Sequence, residues 1–231
     1  MLLMITKGDE CMEGIEAELL RVGTAVIADI FDSVGQVPPV LTTGLFPVPG
    51  PSVRFAGPAY TVTGESYRWS GGGDRAKLAA IDAMSPGVVP VWAGNDIRGV
   101  CCFGDLLAEA MKARGCAGVV VDGGVRDLAY VEALGLPMMV RYRTPAQAIG
   151  RWRVTGHQVP VRLRGAIEEW VTVAPGDLVV ADGDGVIVVP VSLVLTLAPR
   201  AIQWADQDSR AREDIRQGGS LLKALETYGH L

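Results

Sequence analysis

The chain has 231 residues, a formal net charge of −5, 49% hydrophobic side chains and 20% charged ones. That length allows one compact domain with a sizeable core, or one domain with an extension, and the composition is that of an ordinary soluble globular protein. The mild acidity argues against a nucleic-acid partner, because phosphate neutralisation needs a concentrated basic face.

The opening Met1-Leu2-Leu3-Met4-Ile5 is apolar, but Lys7, Asp9 and Glu10 follow at once, so it is too short for a signal-peptide core. No uninterrupted apolar run has the length of a membrane span, and a cytoplasmic location without membrane contact is expected. Residues 11–21 read as a short amphipathic helix. A second helix begins at Thr24, a plausible N-cap, and stops at Gly35. Residues 36–52 hold five Pro and two Gly and read as an irregular, ordered loop. Residues 54–63 alternate as a strand with a Gly-Pro bend. Ser70-Gly71-Gly72-Gly73 precedes a helix over 74–84, whose apolar face is Leu78 and Ile81, and residues 88–92 form a buried strand.

Gly104-Asp105 opens a helix that runs to about Arg114. Residues 118–122 are a short strand apolar on both faces, the texture of a central parallel strand. Gly123-Gly124 turns into Arg126-Asp127, residues 128–134 are helical, and residues 137–141 are the next strand. This order is an α/β crossover unit. Beyond Thr144 the chain becomes β-rich, with short strands over 159–162, 169–173, 178–181 and 186–189. The tail over 199–228 is charged and helical with a break at Gly218-Gly219, and is expected to pack on a neighbouring subunit. Residues 1–198 are thus expected as one domain and 199–231 as its extension.

Asp105 at a helix start is ordinarily a cap, but the same geometry leaves the amides of Asp105, Leu106 and Leu107 pointing outward as an anion site. Arg126-Asp127 lies past a buried strand, where open α/β sheets bind ligands, although such a pair also occurs as a surface ion pair. Together, Asp105 and Asp127 offer carboxylate oxygens to one divalent cation, and Arg126 offers a bidentate fork to substrate. Oxygen-only ligation completed by water suits Mg²⁺ or Mn²⁺. His157 and His230 are too few and too far apart for zinc. Of Lys7, Lys77, Lys112 and Lys223, only Lys112 is expected near the site, and exposed, so Schiff-base chemistry is disfavoured.

Other signals lead elsewhere. Asp182-Gly183-Asp184-Gly185 resembles a calcium loop, but its twelfth position is Leu193 rather than Glu, so a tight turn is expected. Ser70-Gly71-Gly72-Gly73 lacks a Walker Lys. Cys11, Cys101, Cys102 and Cys116 have no zinc-ligand spacing and read as reduced thiols.

The stretch from Gly104-Asp105-Leu106-Leu107 to Val121-Asp122-Gly123-Gly124-Val125-Arg126-Asp127 resembles the RraA-like family, which includes the 4-hydroxy-4-methyl-2-oxoglutarate aldolases. The match rests on Asp, twenty residues, then Arg-Asp. Ala28-Asp29, Ala56-Gly57-Pro58-Ala59-Tyr60-Thr61-Val62 and Pro175-Gly176-Asp177 through Asp184-Gly185-Val186 also resemble family blocks. The resemblance implies an α/β fold of the α/β/α swivelling type, assembled as a trimer or hexamer with its site at the subunit interface. It implies that Asp127 binds the cation, with Asp105 helping through water, and that Arg126 and the amides of Gly104, Asp105, Leu106 and Leu107 hold a 2-oxo acid. It also implies an acidic residue from a neighbour's C-terminal helix, for which Asp206, Asp208 and Glu213 are candidates. The expected function is therefore a class II pyruvate aldolase with oxaloacetate decarboxylation as a related activity. The alternative is a non-catalytic regulator that docks on an RNA-degrading enzyme. Nothing resembles an S-adenosylmethionine site, so methyl transfer is set aside.

Overall fold

The computed structural model describes residues 7–70 and 72–230, with side chains from residue 14 onward. The apolar opening, the Cys11 side chain and Gly71 of the glycine-rich loop lie outside the described residues. The elements are α1 (Lys7–Val22), α2 (Thr24–Ser33), β1 (Phe46–Val48), β2 (Phe55–Ser66), α3 (Arg75–Asp82), β3 (Val89–Ala93), β4 (Cys101–Phe103), α4 (Asp105–Ala113), β5 (Val119–Val125) and α5 (Leu128–Leu134). They continue with β6 (Met138–Arg143), β7 (Trp152–His157), β8 (Val161–Arg164), β9 (Trp170–Val173), β10 (Leu178–Asp182), β11 (Gly185–Val189), α6 (Val191–Arg216) and α7 (Leu221–Tyr228).

One mixed sheet in the order β1-β6-β5-β3-β2-β10-β11 organises the fold, with β4 added to β5 and β7 to β2; β8 and β9 form a separate ribbon. The centre, β2-β3-β5-β6, is parallel, while β10 and β11 join antiparallel. Parallel strands need both faces covered, and period-2 alternation supplies two apolar faces. Val119, Val121 and Trp92 join one core with Ile81, Met111 and Val131 from the helical side. Val120, Val91 and Ala93 join a second core with Val161, Leu163, Val171 and Val173 of the β8–β9 ribbon. A third core seats Ile30 and Phe31 of α2 and Val194, Leu197 and Ala201 of α6 on β10 and β11. The chain is thus an α/β protein, as its sequence predicts.

Several local expectations change. Thr24 does not cap α2: Gly23 occupies that position, and the Thr24 amide and hydroxyl both donate to Asp182, at 2.8 and 2.7 Å. The Asp182–Gly185 turn therefore serves α2, and the tight-turn reading of it holds. The expected Gly-Pro bend is absent, because β2 runs unbroken through Gly57-Pro58. Gly123-Gly124 is not a turn either. β5 continues through it to Val125, with Gly124 paired to both β4 and β6, in a space so tight that added Cβ atoms would press on Cys102 Sγ, the Tyr142 ring and the Val100 carbonyl. The short strands β1, β4 and β7 are additions, β1 lying inside the 36–52 stretch expected as an irregular loop and pairing with β6, and the tail helix begins earlier, at Val191. Its break at Gly218-Gly219 is present, with α7 following.

Candidate active site

β4 and β5 are parallel neighbours, pairing Phe103 with Val125. α4 starts two residues after β4 and α5 three residues after β5, so both strand ends deliver their next residues to one place. After β4 come Gly104 and Asp105, the start of α4; after β5 come Arg126 and Asp127, which lead into α5. The Arg126 amide donates to the Phe103 carbonyl at 3.3 Å and stitches the two turns together. Side-chain contacts finish the junction. Asp127 Oδ2 accepts from the Asp105 amide and from Arg126 Nε, each at 3.2 Å. Gly104 has to lack a side chain, since a Cβ there would collide with Asp127 Oδ2 and Arg126 Cγ.

Asp127 carries the conformational load of this geometry. It sits at φ 58° and ψ 36°, in the left-handed region that non-glycine residues seldom occupy. Asp tolerates this region better than most, and strain of this kind concentrates at functional positions.

The helix start is less open than the sequence suggests. Of the three amides expected to face a ligand, that of Asp105 is held by Asp127. That of Leu106 is held by Asp105's own Oδ1 at 2.7 Å. Carboxylates of the site itself complement the positive helix end. Both remain partly unused, because Asp127 Oδ1 and Asp105 Oδ2 have no protein donor among the described residues.

A pocket of about 250 Å³ opens beside this junction. It is lined by Cys101 to Leu107 and Arg126, by Gly73, Asp74, Lys77 and Leu78 around the start of α3, and by Gln147 to Ile149 after β6. That volume lies below the range usual for drug-sized ligands and suits a small organic acid. Arg126 also borders a second, more open cleft with Asp127, Arg143 and Thr144. Asp105, Arg126, Gly104, Leu106 and Leu107 therefore share one pocket, and Asp127 borders the adjoining cleft with Arg126.

Lys112 is not the lysine of this site. It donates to the Gly135 carbonyl at 3.2 Å, on the far end of α4. Lys77 lines the pocket instead, because α3 presents Lys77, Ala80 and Ile81 to the interior and leaves Leu78 outside. Burial pulls the Lys77 ammonium below its ordinary pKa, opposed by Cys102 and Asp74 and assisted by Arg126. The sequence signal that could have found it is Asp74. As N-cap it accepts from the Lys77 amide at 3.1 Å, which fixes the phase of the helix. The 147–149 segment was missed too, having no motif.

The remaining candidates lie elsewhere. Asp206 faces Arg21 at 3.5 Å, Asp208 faces His230 at 3.2 Å, and Glu213 faces Arg216 at 3.4 Å. None lines the pocket of its own chain. His157 bonds the Tyr60 hydroxyl at 2.8 Å and His230 stacks on Trp204, so the two histidines belong to different regions. Among the described residues no group of three or more His, Cys, Asp or Glu could hold a metal ion. Cys101, Cys102 and Cys116 are buried free thiols, and burial pushes Cys102 up to about 12 and Cys116 up to about 11, which favours the protonated thiol at neutral pH. No described helix is long and apolar enough to cross a membrane.

Comparison with known proteins identifies the family of this chain. The profile of the RraA-like family, Aldolase/RraA, matches residues 24–188, which include the whole junction. The chain belongs to the Aldolase/RraA family. A Halalkalibacterium halodurans protein named "Putative 4-hydroxy-4-methyl-2-oxoglutarate aldolase" is 33% identical over 193 residues, covering 82% of this chain and 83% of that protein. The structure of Streptomyces coelicolor RraAS2, described as an unusual member of the RNase ES inhibitor RraA protein family, superposes with a TM-score of 0.74 at 29% identity. It covers 86% of this chain and 96% of RraAS2. An uncharacterized Pseudomonas syringae protein superposes with a TM-score of 0.78 at 29% identity, covering 92% of this chain and 96% of that one. The family thus holds proteins named as aldolases and proteins named as RNase inhibitors.

Proposed function

We propose that this Aldolase/RraA protein is a divalent-cation-dependent carbon–carbon lyase that cleaves a 4-hydroxy-2-oxo acid to pyruvate, with oxaloacetate decarboxylation as a related activity. The observation that carries the reading is the convergence of Asp105, Arg126 and Asp127 at one helix start beside a pocket sized for a small acid. The donor set fits Mg²⁺ or Mn²⁺. Two carboxylates with uncommitted oxygens, partly exposed to water, are what such a cation takes from a protein when solvent completes its shell. Asp127 and Asp105 would hold it, and when bound it would supply Lewis-acid polarisation of the 2-keto oxygen.

The chain's own residues do the rest. Arg126 is pinned through Nε by Asp127, which leaves its terminal nitrogens for the 1-carboxylate and keto oxygen of the substrate. As the C4 hydroxyl gives its proton to solvent and becomes the carbonyl of the second product, the C3–C4 bond breaks and its electron pair passes through C2 onto the keto oxygen. The guanidinium neutralises the resulting enolate, and protonation at C3 gives pyruvate. Loss of CO₂ from oxaloacetate generates the same enolate. Buried Phe103, with Leu107, gives the pocket an apolar wall beside the reacting carbons. The partner reading is a homotrimer or hexamer in which a neighbour adds an acid such as Asp206, Asp208 or Glu213.

The test is a pyruvate-coupled assay with Mg²⁺ over a panel of 4-hydroxy-2-oxo acids and oxaloacetate. Cation-dependent pyruvate release that survives Arg126→Ala or Asp127→Asn would falsify the assignment. The likeness to RraAS2 supports a second reading, a non-catalytic regulator of an RNA-degrading enzyme. Silence across the panel together with tight ribonuclease binding would favour it.

A further inference from the structure

Helix α3 turns its lysine inward and its leucine outward. Lys77 is 6% exposed and Leu78 is 50% exposed, the reverse of the ordinary burial order. The Lys77 ammonium donates to the Cys102 carbonyl at 2.8 Å and lies 5.5 Å from the centre of the Trp152 ring. Neither partner carries a charge. Asp74, the carboxylate that acts on it, commits both oxygens to backbone amides, of Lys77 at 3.1 Å and Val154 at 2.8 Å. A buried ammonium with no acidic partner is costly unless something else supplies the negative charge. Lys77 lines the same small pocket as Arg126, so the pocket presents two cations, and Arg126 accounts for one carboxylate of a ligand.

We propose that Lys77 is the specificity determinant of this pocket, its ammonium receiving the substrate carboxylate that Arg126 does not hold. Within the 2-oxo acids already proposed, Lys77 then selects diacids over monoacids. This deepens the lyase reading and rests on it for the placement of the first carboxylate. Lys77 binds the substrate noncovalently, and the pyruvate carbonyl does not condense with its amine.

Binding of two unreactive ligands, pyruvate and 2-oxoglutarate, tests this by calorimetry in Mg²⁺ buffer on the wild-type protein and on Lys77→Met and Lys77→Gln. Loss of one charge-assisted hydrogen bond weakens 2-oxoglutarate by about 10- to 100-fold in both variants and leaves pyruvate within about 2-fold. With oxaloacetate as substrate, the variants raise KM more than they lower kcat. Equal weakening of both ligands, no weakening of either, or no binding of 2-oxoglutarate by the wild type overturns the proposal. So does a borohydride-stable pyruvate adduct on Lys77. Ligand discrimination without turnover would sink the lyase reading and leave Lys77 in place. Turnover with an unchanged KM in Lys77→Met would do the opposite.

Discussion

Two helix starts in this protein are built alike. Both α2 and α4 follow a glycine at the N-cap that makes no side-chain cap, and both receive a carboxylate from a distant turn. Asp182 serves α2 and Asp127 serves α4. At α2 the carboxylate is saturated: its two oxygens take the Thr24 amide, the Thr24 hydroxyl and the Asp184 amide, at 2.7 to 3.1 Å. At α4 one oxygen is shared between two donors at 3.2 Å, and the residue that carries it is held at positive φ. A capping Asp with every oxygen committed stabilises the fold; one held in strain with an oxygen to spare is available to a ligand. The same backbone device serves structure in one place and a site in the other.

The comparison breaks most sharply on exchange of function for stability. Asp127→Asn should lower cation-dependent pyruvate release by about 100-fold or more, the scale of losing one charge-stabilising group, while the thermal midpoint stays within a few degrees. If activity persists, the two helix starts are equivalent and the contrast is wrong. Asp127→Gly sharpens it further, relieving the positive φ and matching or exceeding wild-type stability in a melt, with activity lost.

Asp182→Ala is the mirror experiment. It should destabilise the protein by about 1 to 2 kcal/mol, as loss of a helix cap does, and leave kcat within about 2-fold. Chemical denaturation and the coupled assay read the two halves. A large fall in kcat with unchanged stability would contradict the structural role given to Asp182.

The smallest effect concerns Lys77, whose folded pKa lies below its ordinary value because of burial. A lysine shifted this way destabilises the fold while it is charged. The penalty disappears as pH rises from the folded pKa to the unfolded value. Lys77→Met should therefore melt no lower than wild type near neutrality, and its advantage should shrink in the alkaline range. Asp74, Cys101, Cys102 and Arg126 act on the same ammonium, so melts on a Cys101→Ala background check that a thiolate is not the titrating group.

The α/β class, the crossover around residues 105–141 and the family were legible because they rest on local periodicity and on one motif. Val119 to Val121 announces a strand buried on both faces, and Asp105 with Arg126-Asp127 keeps its spacing whatever surrounds it. Lys77 was not legible: a lone lysine in a polar-looking helix is assigned to solvent, and only the packing of α3 against β7 and α4 reverses that. The destination of Thr24 was hidden for the same reason, since its partner Asp182 is 158 residues away.

By itself, then, the sequence determined that the strand at 118–122 is central, where the helices around it begin and end, and which three residues belong to one motif. Tertiary structure decided how those residues are used. It set Asp127 across the start of α4 and occupied two of the amides expected to be open. It also brought a desolvated ammonium into the pocket. Periodicity is a property of neighbouring residues and can be read along the chain. Which donor meets which acceptor depends on distances between elements far apart in sequence, and these exist only once the sheet has formed.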